Sequence, residues 1–305
     1  MVLPPEVAGE TTLIRERLVH DIERFRKFLR QLLKNRLALA GLIIILAFTV
    51  LSFSAPLLVG PYPTYLQLTA PNLPPGNGHL LGTDWQGFDI LTVLLYGGQI
   101  SLLIGFTASI VAMVAGTGVG LIAGFYGGFV DQTLARVTDF FLVIPWLPFV
   151  LVLVMILNPS LSTIIIAIAI VSWPTTARVI RSQVLTIKER QFIERSRAVG
   201  AQSGFIVRKH ILPNVMPLVW AEAVLTISNS VFTEAFLSFF GLGAKGVYTS
   251  WGTMVNESYK TNALLLGRWW YFAPPGLLIT LLVLGFAMLG YGLEDILNPA
   301  LKRRG

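Results

Sequence analysis

Two carboxylates, Glu222 and Glu234, interrupt an otherwise apolar run over residues 215–240, and the surrounding spacing gives them chemical meaning. A charged side chain facing lipid at the centre of a bilayer costs about 2.5–3.5 kcal/mol, so each must face water or protein instead. At helical spacing Glu222, Thr226, Asn229 and Thr233 share one face, with Ser230 and Glu234 beside it. Such a stripe suits the lining of a passage, for which Asn229, Ser230, Thr233 and Glu234 are the candidates. A buried polar contact between helices, or glutamates near the two interfaces, fits the same residues. Catalysis is a poor fit. The histidines are His20, His79 and His210, all outside the apolar runs, and no paired acid and base or metal-ligand cluster lies within those runs. With no cysteine there is no thiolate ligand, thiol nucleophile or redox switch. No catalytic residue and no metal site are therefore expected. Asp84 and Asp89, in H-L-L-G-T-D-W-Q-G-F-D-I-L over residues 79–91, lack the alternating oxygen spacing of a calcium loop, and turn-forming and capping roles suit them better. No G-x-x-x-x-G-K-[ST] phosphate loop is present, and the glycine cluster at 241–246 falls on the expected outer side.

These residues need elements to hold them. In 305 residues, 54% are hydrophobic against 13% charged, which excludes disorder, a coiled coil and a disulfide-stapled module and points to a membrane protein. Six apolar segments stand out, at residues 37–58, 100–125, 140–157, 161–177, 215–240 and 273–293. A run of about 20 apolar residues crosses the hydrocarbon layer as a helix, because every backbone group must find an internal partner there. The expected fold is an all-α polytopic membrane protein with six transmembrane helices and both termini in the cytoplasm. Basic residues support that orientation: eight precede the first span, Arg136 lies between the second and third, eight lie between the fourth and fifth, and three follow the sixth. The net charge of +7 thus marks cytoplasmic loops rather than a nucleic-acid partner. Residues 1–36 are too long and polar for the charged start of a signal peptide.

Ile14, Leu18, Ile22, Phe25, Leu29 and Leu32 recur every three or four residues opposite Arg and Lys, an amphipathic helix suited to lying on the anionic inner leaflet or to binding a partner. Gly116, Gly120 and Gly124 bare one face of the second span, predicting a packing seam whose partner helix the spacing leaves open. Asn158-Pro159-Ser160 allows only a tight hairpin, and Trp173-Pro174 is expected to kink the fourth helix or end its regular part. Between the fourth and fifth spans a hydrophilic stretch reads as two short helices. The first, over 188–199, is closed by Gly200 as a left-handed cap; the second is capped by Ser203 and ended by Pro213. Such a hook binds a partner or merely joins two spans.

The motif E-R-S-R-A-V-G-A, Glu194 to Ala201, followed by H-I-L-P-N, His210 to Asn214, resembles the EAA loop of ABC importer permeases. Residues 79–105, G-G-F-V-D (Gly127 to Asp131), S-W-P (Ser172 to Pro174) and E-A-F-L-S-F-F-G-L-G (Glu234 to Gly243) are similar to the C-type permease subunit of dipeptide and oligopeptide importers. The similarity covers roughly residues 37–301. In two places the chain departs from the family: Arg195 and Ser196 replace the small residues that usually follow the glutamate, and Phe88 stands where arginine is frequent.

The resemblance implies a coupling helix, with Arg190, Glu194, Arg195, Ser196, Arg197, Ala198 and Gly200 seated on a cytoplasmic ATPase subunit. It implies further partners: a homologous B-type permease subunit, two ABC ATPase subunits or domains that bind ATP and Mg, an external solute-binding protein, and the lipid of a prokaryotic inner membrane. No cofactor is expected on this chain, and no nucleic acid. The division this suggests is a cytoplasmic amphipathic segment at 1–36, a first span at 37–58, an external loop at 59–99, a five-helix permease core at 100–293 holding the EAA loop at 185–214, and a basic tail at 294–305. Peptides are the implied cargo, with oligosaccharides or nickel chelates as alternatives. A self-contained secondary transporter using Glu222 and Glu234 is the competing class. It leaves the hook without a purpose, and no internal repeat supports it.

Overall fold

The computed structural model describes residues 23, 26–62, 69–76, 78–244 and 249–297. Its elements in order are α1 (Arg36–Phe53), α2 (Ala55–Leu58), α3 (Ile90–Tyr126), α4 (Gly128–Val143), α5 (Trp146–Leu157), α6 (Leu161–Lys188), α7 (Gln191–Ala198), α8 (Ser203–Ile206), α9 (Leu212–Leu237), α10 (Trp251–Lys260) and α11 (Trp269–Leu297). Five helices are long and apolar enough to cross a membrane, or six if the bent pair α4 and α5 counts as one. The bundle has a hook end, where α7 lies, and an opposite loop end, where the described residues between 59 and 89 lie.

Several expected boundaries move. The second span starts at Ile90 rather than residue 100, so the loop before it ends at Asp89. The Asp89 carboxylate accepts from the Thr92 amide at 2.9 Å and caps the helix. Gly97 and Gly98, which weaken a helix by about 1 kcal/mol each, are held helical because Trp251 and Ser52 pack directly onto them. The third span is not one rod. α4 and α5 meet at 89°, because Pro145 lacks an amide hydrogen and holds Ile144 in extended backbone at ψ 127°. The first span also breaks, at Ser54 before Pro56, leaving the four-residue α2.

The fourth helix neither stops at residue 177 nor ends at Pro174. It continues to Lys188, with Pro174 buried inside it. Pro213 likewise does not end the second hook helix. α8 runs through a π turn at Val207–Ile211 into α9, and Pro213 sits in the first turn of α9 just past that wider turn. Ser203 is its first helical residue, and Gln202 occupies the cap position without a side-chain bond.

Asn35 separates helical residues 26–34 from α1, caps α1 through its side-chain oxygen, and donates from Nδ2 to the Gly292 carbonyl at 3.3 Å. Leu32 is buried with Ala38, Ala221 and Leu293, so that part of the amphipathic stretch packs on protein. Ile14, Leu18, Ile22 and Phe25 lie outside the described residues, as does the tail at 298–305. At the loop end, Trp251 of α10 is buried and donates from Nε1 to the Leu94 carbonyl at 2.7 Å, closing a core that contains Phe88, Ile90, Tyr271 and Phe286.

Candidate coupling surface and membrane cavity

The hook is an exposed turn on a buried stem. Arg190 starts α7 in extended backbone, and Gly200 ends it at φ +81°, where an L side chain is strained. The Gly200 and Ala201 amides donate back to the Arg197 and Ser196 carbonyls at 2.9 and 3.1 Å, the double closure of a glycine-capped helix. Arg190, Glu194, Arg195, Arg197, Ala198 and Gly200 are exposed and Ser196 is half-buried, so the residues of the motif form one continuous surface. A Cβ placed on Gly200 would meet nothing within 4 Å in this chain.

The residue that sequence reasoning missed is Ile193. It is fully buried among Phe125, Ile180, Val184, Ile187 and Ile206, and so roots α7 against α3, α6 and α8. Arg197 adds a second tie, its guanidinium 5.9 Å from the centroid of the Phe125 ring. His210 stands against the rings of Phe192 and Phe205 at 6.1 and 5.7 Å. The available signal was the apolar pair Phe192-Ile193 in an otherwise largely charged octapeptide.

The glycine stripe faces α6 of the same chain. A Cβ on Gly116 would lie 2.6 Å from Cβ of Thr176, one on Gly120 2.7 Å from the Ala177 carbonyl oxygen, and one on Gly124 2.8 Å from the Val184 side chain. α3 and α6 accordingly make the most extensive helix contact in the bundle. Near the hook end α4 is tied to α6 by charge. Arg181 grips Asp131 side-on through Nε and Nη2 at 2.5 and 2.7 Å, and Arg178 meets Asp139 at 2.5 Å on the exposed side.

The polar stripe of α9 divides into two. Glu222, Thr226, Asn229 and Thr233 line an open cavity of about 370 Å3, bordered also by residues of α4, α5 and α6 that include Phe141, Trp146, Ser172 and Thr175. Ser230 and Glu234 do not line it. Both are fully buried in protein. Glu234 accepts from Ser101 of α3 at 3.0 Å and from Ser238 at 2.7 Å, and Ser250 before α10 donates to Ser238 at 3.3 Å. This carboxylate therefore knots α3, α9 and the approach to α10 together at the loop end.

The loop-end carboxylates act structurally. Asp84 accepts from the Gln86 and Phe88 amides at 2.8 Å each. Burial pushes its carboxyl above the usual range, against the pull of those amides and that of Gly87. Asp89 also pairs with His79 at 2.7 Å. Phe88 is buried and stacks on Tyr62. Glu257 of α10 accepts from the Tyr271 hydroxyl at 3.1 Å, and burial raises its carboxyl, with nearby Asp84 adding to the rise. Among the described residues no group of three or more His, Asp or Glu side chains is placed to hold a metal ion.

A sequence profile described as binding-protein-dependent transport system inner membrane component matches residues 116–303, and one for the N-terminal transmembrane domain of oligopeptide transport permease C matches residues 23–75. The chain is 39% identical to the dipeptide transport system permease protein DppC of Bacillus subtilis, over 90% of this chain and 85% of that one. It is 36% identical to the oligopeptide permease OppC of the same organism, over 88% and 87% of the two chains. With the glutathione permease GsiD of Pectobacterium atrosepticum it shares 35% identity, over 91% and 92%. Among solved structures, an inward-facing MetNI methionine ABC transporter matches with a TM-score of 0.53 at 23% identity, covering 68% of this chain and 95% of that one, a likeness of fold. With a family profile over more than half its length and full-length relatives above 30% identity, the chain belongs to the inner-membrane permease family of binding-protein-dependent transport systems, in its dipeptide and oligopeptide permease C branch.

Proposed function

We propose that this chain forms half of the membrane passage of an ATP-driven peptide importer. A related B-type permease supplies the other half, two cytoplasmic ATPase subunits bind ATP and Mg and drive the cycle, and an external solute-binding protein delivers dipeptides or oligopeptides. The names of the curated relatives support a peptide cargo over oligosaccharides or nickel chelates. The family supports a bacterial inner-membrane location, and the distribution of Lys and Arg supports six spans, the bent α4–α5 pair counting as one, with the hook and both termini in the cytoplasm.

The observation that carries this reading is the hook. An exposed helix ending at Gly200, rooted by Ile193 in the cluster joining three membrane helices, is built to receive force from a partner. Among the described residues the Cβ of Gly200→Asp meets nothing within 4 Å, and the left-handed backbone costs only about 1–2 kcal/mol of strain, so the folded bundle is expected to tolerate it. On a seated partner surface the added carboxylate has no room. Gly200→Asp is expected to reach the membrane at wild-type levels while abolishing ATP-dependent peptide uptake. Normal uptake by that variant, or by a chain lacking residues 190–200, would overturn the reading.

A further inference from the structure

We propose that Glu222 is a recognition carboxylate for a positive charge on the transported solute, the α-ammonium group of a peptide. This rests on the reading of the cavity as half of a peptide passage. Three observations converge on it. First, Glu222 is the charged residue in the cavity lining; the other polar residues there, Ser172, Thr175, Thr226, Asn229 and Thr233, are neutral, and the lining holds no Lys, Arg or His. Second, among the described residues its carboxylate has neither an ion pair nor a hydrogen bond, and the charge near enough to act on it is Glu294 of α11, of the same sign. A half-buried carboxylate without a partner is costly to desolvate, and a cationic solute supplies what this chain does not.

Third, two neighbouring hydroxyls have already spent their hydrogens. Thr226 donates to the Glu222 carbonyl at 2.8 Å and Thr233 to the Asn229 carbonyl at 2.7 Å. Their hydrogens are committed to the helix, so each Oγ1 keeps acceptor capacity alone, with Thr226 Oγ1 also 3.7 Å from the Met113 sulfur. One carboxylate, with two acceptor-only hydroxyls on the same lining, offers partners to the three N–H donors of an ammonium group. Glu234, by contrast, spends its oxygens on Ser101 and Ser238 and has no open face.

The test uses the complete importer in liposomes, supplied from outside with radiolabelled trialanine or N-acetyl-trialanine at millimolar concentration. The wild type is expected to take up the free peptide at least tenfold faster than the acetylated one. Glu222→Gln is expected to slow the free peptide about tenfold while leaving the acetylated one unchanged, so that the preference collapses. Glu222→Asp, which keeps the charge, is expected to retain the preference. An unchanged ratio of the two rates in Glu222→Gln overturns the proposal, as does an equal fall for both peptides. If the wild type moves neither peptide, the peptide-import reading itself fails, which is a different result.

Discussion

Replacing Ile193 by alanine is expected to loosen α7 from the bundle while the membrane helices stay in place. Truncating a buried isoleucine to alanine costs about 2–5 kcal/mol, and here the whole loss falls on the attachment of one short element. At eight residues α7 is well below the roughly 12–15 that an isolated helix needs in water, so it has little stability of its own to fall back on. The remaining tie, Arg197 over Phe125, contributes only about 0.5–1 kcal/mol at an exposed site. Taking about 3 kcal/mol as the net loss, and about 1.4 kcal/mol per tenfold, local opening of α7 becomes roughly a hundredfold more frequent. Hydrogen exchange followed by mass spectrometry on peptides covering residues 191–199 reads this directly, with peptides from α9 as the internal reference. Phe192→Ala, which trims a partly exposed ring, is the control and is expected to change exchange only slightly. If α7 in Ile193→Ala exchanges within about threefold of wild type, this side chain is not what holds it, and the argument for a rooted hook fails.

Gly120→Leu is expected to block close approach of α3 and α6 and sharply lower the amount of folded chain in the membrane, whereas Gly118→Leu, whose Cβ meets nothing within 4 Å, is tolerated; quantitative blotting of membranes decides it. A double-mutant cycle of Asp131→Asn and Arg181→Gln, read by thermal unfolding in detergent, is expected to give a coupling of roughly 1 kcal/mol, modest because the pair is partly solvated. Additivity within error would mean the pair does not tie α4 to α6. Because burial raises the Glu257 carboxyl, the folded chain holds that proton more tightly than the unfolded chain. Its stabilising contribution is complete below the unfolded value near 4.5 and is lost as pH rises through the higher folded value. Glu257→Gln is therefore expected to unfold at a higher temperature than wild type near neutral pH, with the gap closing towards about pH 4, where both states of the wild type are protonated. A gap that widens on acidification would reverse this sign.

Much of the architecture was legible because hydrocarbon permits so few solutions. Uninterrupted apolar runs had to be helices, and the glycines spaced by four had to form a close seam. Gly200 was recognisable as a cap because its left-handed backbone has few alternatives. What stayed hidden depended on neighbours. Hydropathy is continuous across Ile144-Pro145, so the right-angle break between α4 and α5 left only its proline as a trace. Gly97 and Gly98 read as loop because their propensity is poor, and it is distant residues, Ser52 and the ring of Trp251 more than 150 positions away, that pack onto them in the helix. Pro213 read as a stop because the π turn that accommodates it has no sequence signature. In the polar stripe, period 3.6 grouped Glu222 with Glu234 but gave no indication that one faces a cavity and the other is enclosed by serines.

From Ser203 to Leu237 the chain stays helical, through the π turn at Val207–Ile211 and past Pro213 and Pro217. It is clamped near one tip by the serines around Glu234 and reaches the hook at the other. At 1.5 Å per residue its hook-side end lies about 46 Å from that clamp and Glu222 about 18 Å from it. Were the stretch to swing as one body about that clamp, displacement would divide in proportion to distance, and about 5 Å of sideways travel at the hook would become about 2 Å at Glu222 and almost none at Glu234. Where the two glutamates fall along one helix would then set the gearing, with one at the pivot and the other on the arm.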